Sequence, residues 1–496
     1  MSSQLEDTCQ ETSSRARPPH LTVNHFPDEV LLEIFDSYRQ DLDADPYGDD
    51  PWRRNYLWFN LAHVCRKWRA VIFASSSRMN LAVVVGPTKP VHITEILSSP
   101  LPILFDFKKI YGDMAGRTLW RMRAVLEHHH DRVRQIAFDG STADFKKLLT
   151  FTNRPFPVLE SLTLWSPREW EIPNTFLRGP DLSDLPLRNL SLILISFSSI
   201  FGILSSLTSL THICLLLQID TAINSSSGTT LLTCLQCMPC LQYFCLAISS
   251  SDVEFPSQTP TPKDIIPLSK LVHFSYTGHS VLLEVLVAGL SAPSLRSVNI
   301  KYYDMILPPI VHHLSRFMNE IIEEQCHAVC LAFKGLVPHL SSISLFTRSE
   351  YIPHKPRFRM SPPRYHPESI MRISGALSRR LSTVEELRIT FEQGSRLTTG
   401  GWVDDIPWRR FLQKFPSVKA IRAEGGDSHS IARIFLQDLE EPDDGVAFLP
   451  ALEEIELEKD DWLSRMRQNG PELAAFQPFV SARQQAGRPV KVFFRV

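Results

Sequence analysis

Ala292-Pro293-Ser294-Leu295-Arg296-Ser297-Val298-Asn299-Ile300 is the stretch on which the fold turns. After its proline, it runs apolar, two others, apolar, one other, apolar. Val298 and Ile300 face the same side of an extended chain, because successive side chains of a strand alternate. Leu295 sits on the approach and closes the same apolar layer. Nine residues cannot bury such a layer alone, so the segment needs neighbours of its own kind.

The neighbours are present. The same triplet occurs at Val133/Ile136/Phe138, Leu159/Leu162/Leu164, Leu187/Leu190/Leu192, Leu210/Ile213/Leu215, Leu241/Phe244/Leu246 and Leu271/Phe274/Tyr276. Beyond Leu295 it continues as Leu340/Ile343/Leu345, Val384/Leu387/Ile389, Val418/Ile421/Ala423 and Leu452/Ile455/Leu457. Several copies follow a proline. The first residues recur roughly every 23–31 positions as far as Leu295 and more widely after it. Strand-plus-helix repeats have periods of about 20–29 residues. The expected architecture is an α/β solenoid over about 80–496, one short strand per repeat, with a helix or turn covering one side. Leu81–Val85 and Ile103–Phe107 read as its first strands and Val490–Arg495 as its last. Leu282 to Leu290 and Ile310 to Phe333 read as the clearest covering helices. A conventional α/β domain of strand–helix pairs fits the same pattern.

Ahead of the array, residues 1–23 form a Ser-, Thr- and Pro-rich leader without an apolar run, so they are not a secretory signal. Residues 24–73 read as a helical module. Pro27, Asp28 and Glu29 suit a helix start, where a missing N–H costs nothing and negative charge meets the positive dipole end. Val30, Leu31, Ile34 and Phe35 then make one apolar helical face. An aspartate-rich loop over 36–50 leads to a second helix, from about Tyr56 to Phe73, with Leu61, Val64, Cys65, Trp68, Val71 and Ile72 at helical spacing. About 50 residues bury too little surface to stand alone, so the module is expected to lean on a partner.

Phe26-Pro27-Asp28-Glu29-Val30-Leu31-Leu32-Glu33-Ile34-Phe35, followed by Leu61-Ala62-His63-Val64-Cys65-Arg66-Lys67-Trp68-Arg69, resembles an F-box. The family pattern is Leu-Pro-x-Glu, apolar residues and Ile-Phe, then a Val-Cys-Arg-x-Trp helix. This chain departs from it at Phe26, where Leu is usual, and in its longer acidic loop. The resemblance covers about 50 residues, and both halves agree in order and spacing. It implies docking on a Skp-type adaptor, and through it a cullin–RING ubiquitin ligase, by Phe26, Pro27, Val30, Leu31, Ile34, Phe35, Leu61, Val64, Cys65 and Trp68. The repeats lack the usual Asn or Cys and look like degenerate leucine-rich repeats. An F-box followed by such repeats resembles the expanded F-box/leucine-rich-repeat sets of mushroom-forming fungi, in which the repeat domain selects a target protein. The resemblance therefore implies a non-catalytic substrate adaptor in the cytoplasm or nucleus, or a binding scaffold outside ubiquitin ligation.

Composition limits the alternatives. Lys plus Arg is 52 and Asp plus Glu is 54, a net charge of −2, without the basic excess of a dedicated nucleic-acid binder. The uncharged stretch from Asn189 to Ile219 is long enough for a membrane span, but its serines and its repeat register favour buried repeat core. Nine cysteines are too few and uneven for a disulfide scaffold, and a reducing compartment is expected. There is no Gly-x-Ser-x-Gly, Gly-x-Gly-x-x-Gly, phosphate-loop or His-Glu-x-x-His motif.

The tempting metal-ligand cluster is Cys234, Cys237, Cys240 and Cys245, but buried cysteine is a good core filler, and no metal or cofactor is expected. His128-His129-His130 reads as a helix end before a strand. Cys326 and Cys330 read as one face of a helix. Residues 348–380 hold eight basic against two acidic residues, with five prolines that suggest an extended loop at about 346–372. Arg348, Lys355, Arg357, Arg359 and Arg364 there are candidate contacts for an acidic or phosphorylated target. Residues 438–461 hold eleven acidic residues against one basic, so a solvated loop paired with this segment is the alternative.

Overall fold

The structure is a computed structural model describing residues 26–43, 61–75, 83–85, 101–107, 123, 125–139, 156–170, 185–196, 201–218, 226–248, 264–302, 313–318, 326–334, 339–347, 358–361, 367–391, 408–424, 432, 435, 449–458 and 474–495. The protein is mixed α/β, with a large, mainly parallel sheet. It divides into two compact units, one of Met1–Val85 with Val91–Leu104, the other of Gly86–Pro90 with Phe105–Val496.

In the first unit, α1 (Asp28–Asp43) starts when the Pro27 carbonyl accepts from the Leu31 N–H at 3.2 Å. Pro27 is thus the cap just before the helix. The second helix is shorter than its apolar spacing suggests. Leu61 and Ala62 are helical, residues 63–65 break the helix, and α2 runs over Arg66–Ala74, while residues 56–60 of the expected helix lie outside the described residues. Cys65 makes the break, its extended backbone letting Sγ accept from the Trp68 N–H at 3.5 Å as an N-cap. Leu31, Phe35, Ala62, Val71 and Ile72 form the core, with Leu32, Leu61, Trp68 and Leu101 packed against it. Phe35 meets the Trp68 ring edge-on at 4.8 Å. β1 (Val83–Val85) also lies in this unit, and β2 (Ile103–Phe107) crosses the division between units, so 83–85 and 103–107 are strands, while residues 81–82 lie outside the described residues.

The second unit contains the repeats. Its strands begin β3 (Val133–Asp139), β4 (Ser161–Trp170), β5 (Asn189–Ser196), β6 (His212–Gln218) and β7 (Tyr243–Ile248). They continue β8 (Ile266–Pro267), β9 (His273–Gly278), β10 (Leu290–Ser291) and β11 (Ser297–Tyr302). β8 and β10 pair with each other in a small parallel sheet, while the others join in sequence order, all parallel. The triplets are in register: Ile136, Leu162, Leu190, Ile213, Phe244, Phe274 and Val298 pair in succession, and all are buried.

A recurrent turn leads into the strands. Leu159, Leu241, Leu271 and Leu295 each donate an N–H to the carbonyl three residues back, at Phe156, Met238, Leu268 and Ala292. Both ends of these turns are buried. Pro157, Pro239 and Pro293 occupy the second position, where a fixed φ and no N–H are favourable. The residue before each strand then offers its carbonyl to the next repeat: Glu160 accepts from Arg188 and Asn189, Arg188 from Thr211 and His212, and Thr211 from Gln242 and Tyr243.

Helices cover the triplet face. They are α3 (Phe201–Leu204), α4 (Ser226–Gln236), α5 (Ser280–Gly289) and a helical stretch at 313–318. Phe317 packs edge-on against Phe274 at 5.7 Å, and Cys234 Sγ of α4 donates to the Phe201 carbonyl. Every residue of α5 is buried, and Arg316 donates to the carbonyls of Val287 and Ala288 near its C-terminal end. The uncharged stretch beginning at Asn189 resolves into β5, α3 and β6, and no described helix is long and apolar enough to cross a membrane.

After β11 the order reverses. β12 (Cys326–Lys334), β13 (His339–Thr347) and β14 (Phe358–Ser361) fill the sheet as β11-β14-β13-β12, followed by β15 (Glu386–Phe391). Only β13 within this block runs antiparallel to its neighbours. Three expectations change here. Ile310 to Phe333 is not one helix, since β12 occupies its end; a short apolar run satisfies either period, and sheet pairing decides. Cys326 and Cys330 therefore lie on a strand. Leu340/Ile343/Leu345 belongs to the antiparallel strand rather than to another parallel repeat. The basic Pro-rich loop of 346–372 is also interrupted: β14 inserts buried Met360 between Ile300 and Ile343, and Pro367 opens α6 (Pro367–Ala376). A short α7 (Ser378–Leu381) follows.

The parallel series then resumes. α8 (Trp408–Leu412) precedes β16 (Ala420–Glu424), β17 (Glu454–Glu458) follows, and α9 (Gln477–Gln485) leads to β18 (Lys491–Arg495). Val329, Leu387, Ile421, Ile455 and Val492 stand in register, so 490–495 does end the sheet.

Candidate functional site

Two surfaces carry the candidate residues. On α1, apolar side chains form adjacent stripes with a four-residue step, which lines residues up along one helix side. Leu31 and Phe35 are fully buried. Phe26, Val30, Ile34 and Tyr38 are 38–42% exposed. Val64 and Phe73 add exposed apolar surface from the second half of the motif. The structure therefore splits the expected docking set. Phe26, Pro27, Val30, Ile34 and Val64 are presented to solvent, while Leu31, Phe35, Leu61 and Trp68 build the core. Cys65 is half-buried and spends its Sγ on the cap. Tyr38 and Phe73 add exposed apolar surface outside the expected set, although the same four-residue step from Ile34 leads to Tyr38.

The hairpin holds this surface in place. Lys67 Nζ donates to the Phe26 carbonyl and lies 3.6 Å from Asp28 Oδ1. Arg69 Nε donates to the Ala62 carbonyl at 3.0 Å. Both ties are local to the unit: the first fixes the chain ahead of α1 against α2, and the second fixes the turn ahead of α2 against that helix.

The second surface is the sheet face opposite the triplets. From β4 to β11 its central row reads Thr163, Ser191, Cys214, Cys245, Ser275 and Asn299. Beside it His212, Tyr243 and His273 stack, with ring centroids 5.9 and 4.4 Å apart. Burial lowers the pKa of both imidazoles, favouring their neutral forms. Across the reversed block the same row becomes charged, passing through Arg359, Ser344, Cys330, Arg388, Arg422 and Glu456. Arg388 Nε lies 2.6 Å from Glu386 Oε1, and Arg422 Nε lies 3.4 Å from Glu386 and 3.3 Å from Glu456. Arg359 is exposed, and its Nε donates to Ser344 Oγ at 3.3 Å. Arg348, Lys355, Arg357 and Arg364 lie outside the described residues.

The cysteine cluster does not converge. Cys234 is buried on the helix side of the sheet, where burial raises its pKa to about 11, whereas Cys245 is on the open side beside Cys214. His129 ends a helical turn before β3, with its Nδ1 3.4 Å from Arg132 Nη1, as expected of a helix end. Compared with known proteins, the chain matches no protein family model, and no curated protein matches it.

Proposed function

We propose that the chain is a non-catalytic substrate-recognition subunit of an SCF-type ubiquitin ligase. The observation that carries this reading is the second apolar stripe, which begins at Phe26 just ahead of α1 and runs on through Val30 and Ile34 of the helix, and which remains exposed although the neighbouring stripe already supplies the unit's core. A small helical unit with a spare apolar face is suited to dock on an apolar groove of a Skp-type adaptor. The repeats would then present their open face to a target protein, with Arg359 among the contacts. Ubiquitin transfer belongs to other subunits, so this chain needs no nucleophile of its own.

Co-purification tests the reading. The full chain is expected to capture the Skp-type adaptor, and Val30→Asp with Ile34→Asp to lose it while helical content stays at the wild-type level. A folded wild-type chain that captures no adaptor refutes the assignment. If the adaptor binds but a captured target keeps the same lifetime after this chain is removed, the chain is a scaffold outside ubiquitin ligation.

A further inference from the structure

We propose that Cys214 and Cys245 form a dithiol site on the open sheet face that hydrogen peroxide converts to an intramolecular disulfide. The inference does not depend on adaptor docking. Cys214 and Cys245 are directly paired in the register of β6 and β7 and point to the same side. Neighbouring strands lie about 4.8 Å apart, inside the Cα separation a disulfide spans. Both residues are half-buried, on the side of the sheet opposite the helices, so a molecule as small as peroxide can approach. Their thiols hydrogen-bond to each other, and Ser191 and Ser275 extend the row by hydrogen-bonding to Cys214 and Cys245 respectively.

The two sulfurs titrate as a pair, and the first proton leaves more readily than from a lone thiol. The hydrogen bonds from Cys245 and Ser191 lower the Cys214 pKa to about 7, despite its burial. The same thiol–thiol bond, with burial, raises that of Cys245. Either sulfur can therefore attack while its neighbour resolves, and the course with Cys214 attacking first stands for both. The Cys214 thiolate attacks one peroxide oxygen, the O–O bond breaks, and hydroxide leaves to take up the proton the thiol released. Cys245 sulfur then attacks the Cys214 sulfenic acid, the S–O bond breaks, and hydroxide departs with the Cys245 proton as water. Two thiols and one peroxide give one disulfide and two waters.

Side chains of in-register parallel strands stand side by side, so closure must draw the two Cβ atoms to about 3.8 Å. A disulfide strained in this way is readily reduced, and excess reduced glutathione is expected to restore both thiols.

The test is differential alkylation of the reduced, full-length chain before and after stoichiometric hydrogen peroxide. A chymotryptic digest is required, because no Lys or Arg lies between Arg188 and Lys263. The expected result is loss of both thiols into a peptide cross-linking Cys214 to Cys245, ahead of any other pair. Cys245→Ser should leave Cys214, and Cys214→Ser should leave Cys245, as a sulfenic acid trapped by dimedone, and neither variant should form the cross-link. The wild-type mapping stands even if a variant misfolds. Persistence of both thiols in the folded chain, or preferential coupling of Cys214 to Cys234, Cys237 or Cys240, would overturn the proposal.

Discussion

Leu31 and Ile34 sit on the same helix, yet one is fully buried and the other 42% exposed. Substitutions on α1 should therefore separate into two kinds. Phe35→Ala removes a fully buried ring and its edge contact with Trp68, at a cost of about 3–5 kcal/mol, which would unfold so small a unit. Ile34→Ala should leave its thermal melt nearly unchanged. Circular dichroism melts of the two variants check the contrast. At His212 and His273 the argument concerns protons. Burial lowers both pKa values below the 6.5 of a free imidazole, so the folded chain binds fewer protons than the unfolded chain in the window beneath that value. Their contribution to stability is complete above pH 6.5 and lost as pH falls through the folded values. The urea midpoint should drop between about pH 7.5 and 5.5, and His273→Gln should flatten that drop.

At the scale of elements, helix packing over the sheet is close enough for one methyl group to matter. A Cβ on Gly228 of α4 would lie 2.9 Å from Val285 Cγ1 and 3.0 Å from Leu282 Cδ1 of α5. Ala is the better helix former by about 1 kcal/mol, but forcing a methyl into a filled interface costs about 1–3 kcal/mol. Gly228→Ala should be destabilising by about 1 kcal/mol, read from a denaturant melt. The parallel strands were legible because two signals agreed: the apolar residues alternate, and the turn places proline where its missing N–H does no harm. The reversed block was not, because β12 offers an apolar run compatible with a helix. β14 is four residues long and sits among prolines and arginines, and only its pairing with β11 and β13 makes it a strand. On α1 the apolar residues were legible as a group. Which stripe is buried depends on α2, so the sequence pattern alone could not separate the core stripe from the exposed one.

Across the whole molecule, a net charge of −2 hides an uneven distribution. The open face from β4 to β9 carries uncharged polar, aromatic and cysteine side chains in its central rows, whereas that of β15 to β17 is laced by Arg388, Arg422, Glu386 and Glu456. Both halves share the same buried apolar ladder, so salt should distinguish them. Screening lengths fall from about 8 Å at physiological ionic strength to about 3 Å at 1 M, which weakens ion pairs that water can reach. Glu386 is 8% exposed and Arg422 31%, so this network is only partly shielded. Partly exposed pairs are worth up to about 1 kcal/mol, equivalent to about fivefold in a local opening equilibrium. Amide hydrogen exchange in β16 and β17 should accelerate by up to that factor in 1 M potassium chloride, while β6 and β7 remain unchanged. Neighbour-limited coupling in a repeat array permits such a local response. Uniform acceleration would mean that the sheet opens as one unit. No acceleration in either half would mean that the charged row contributes nothing to stability.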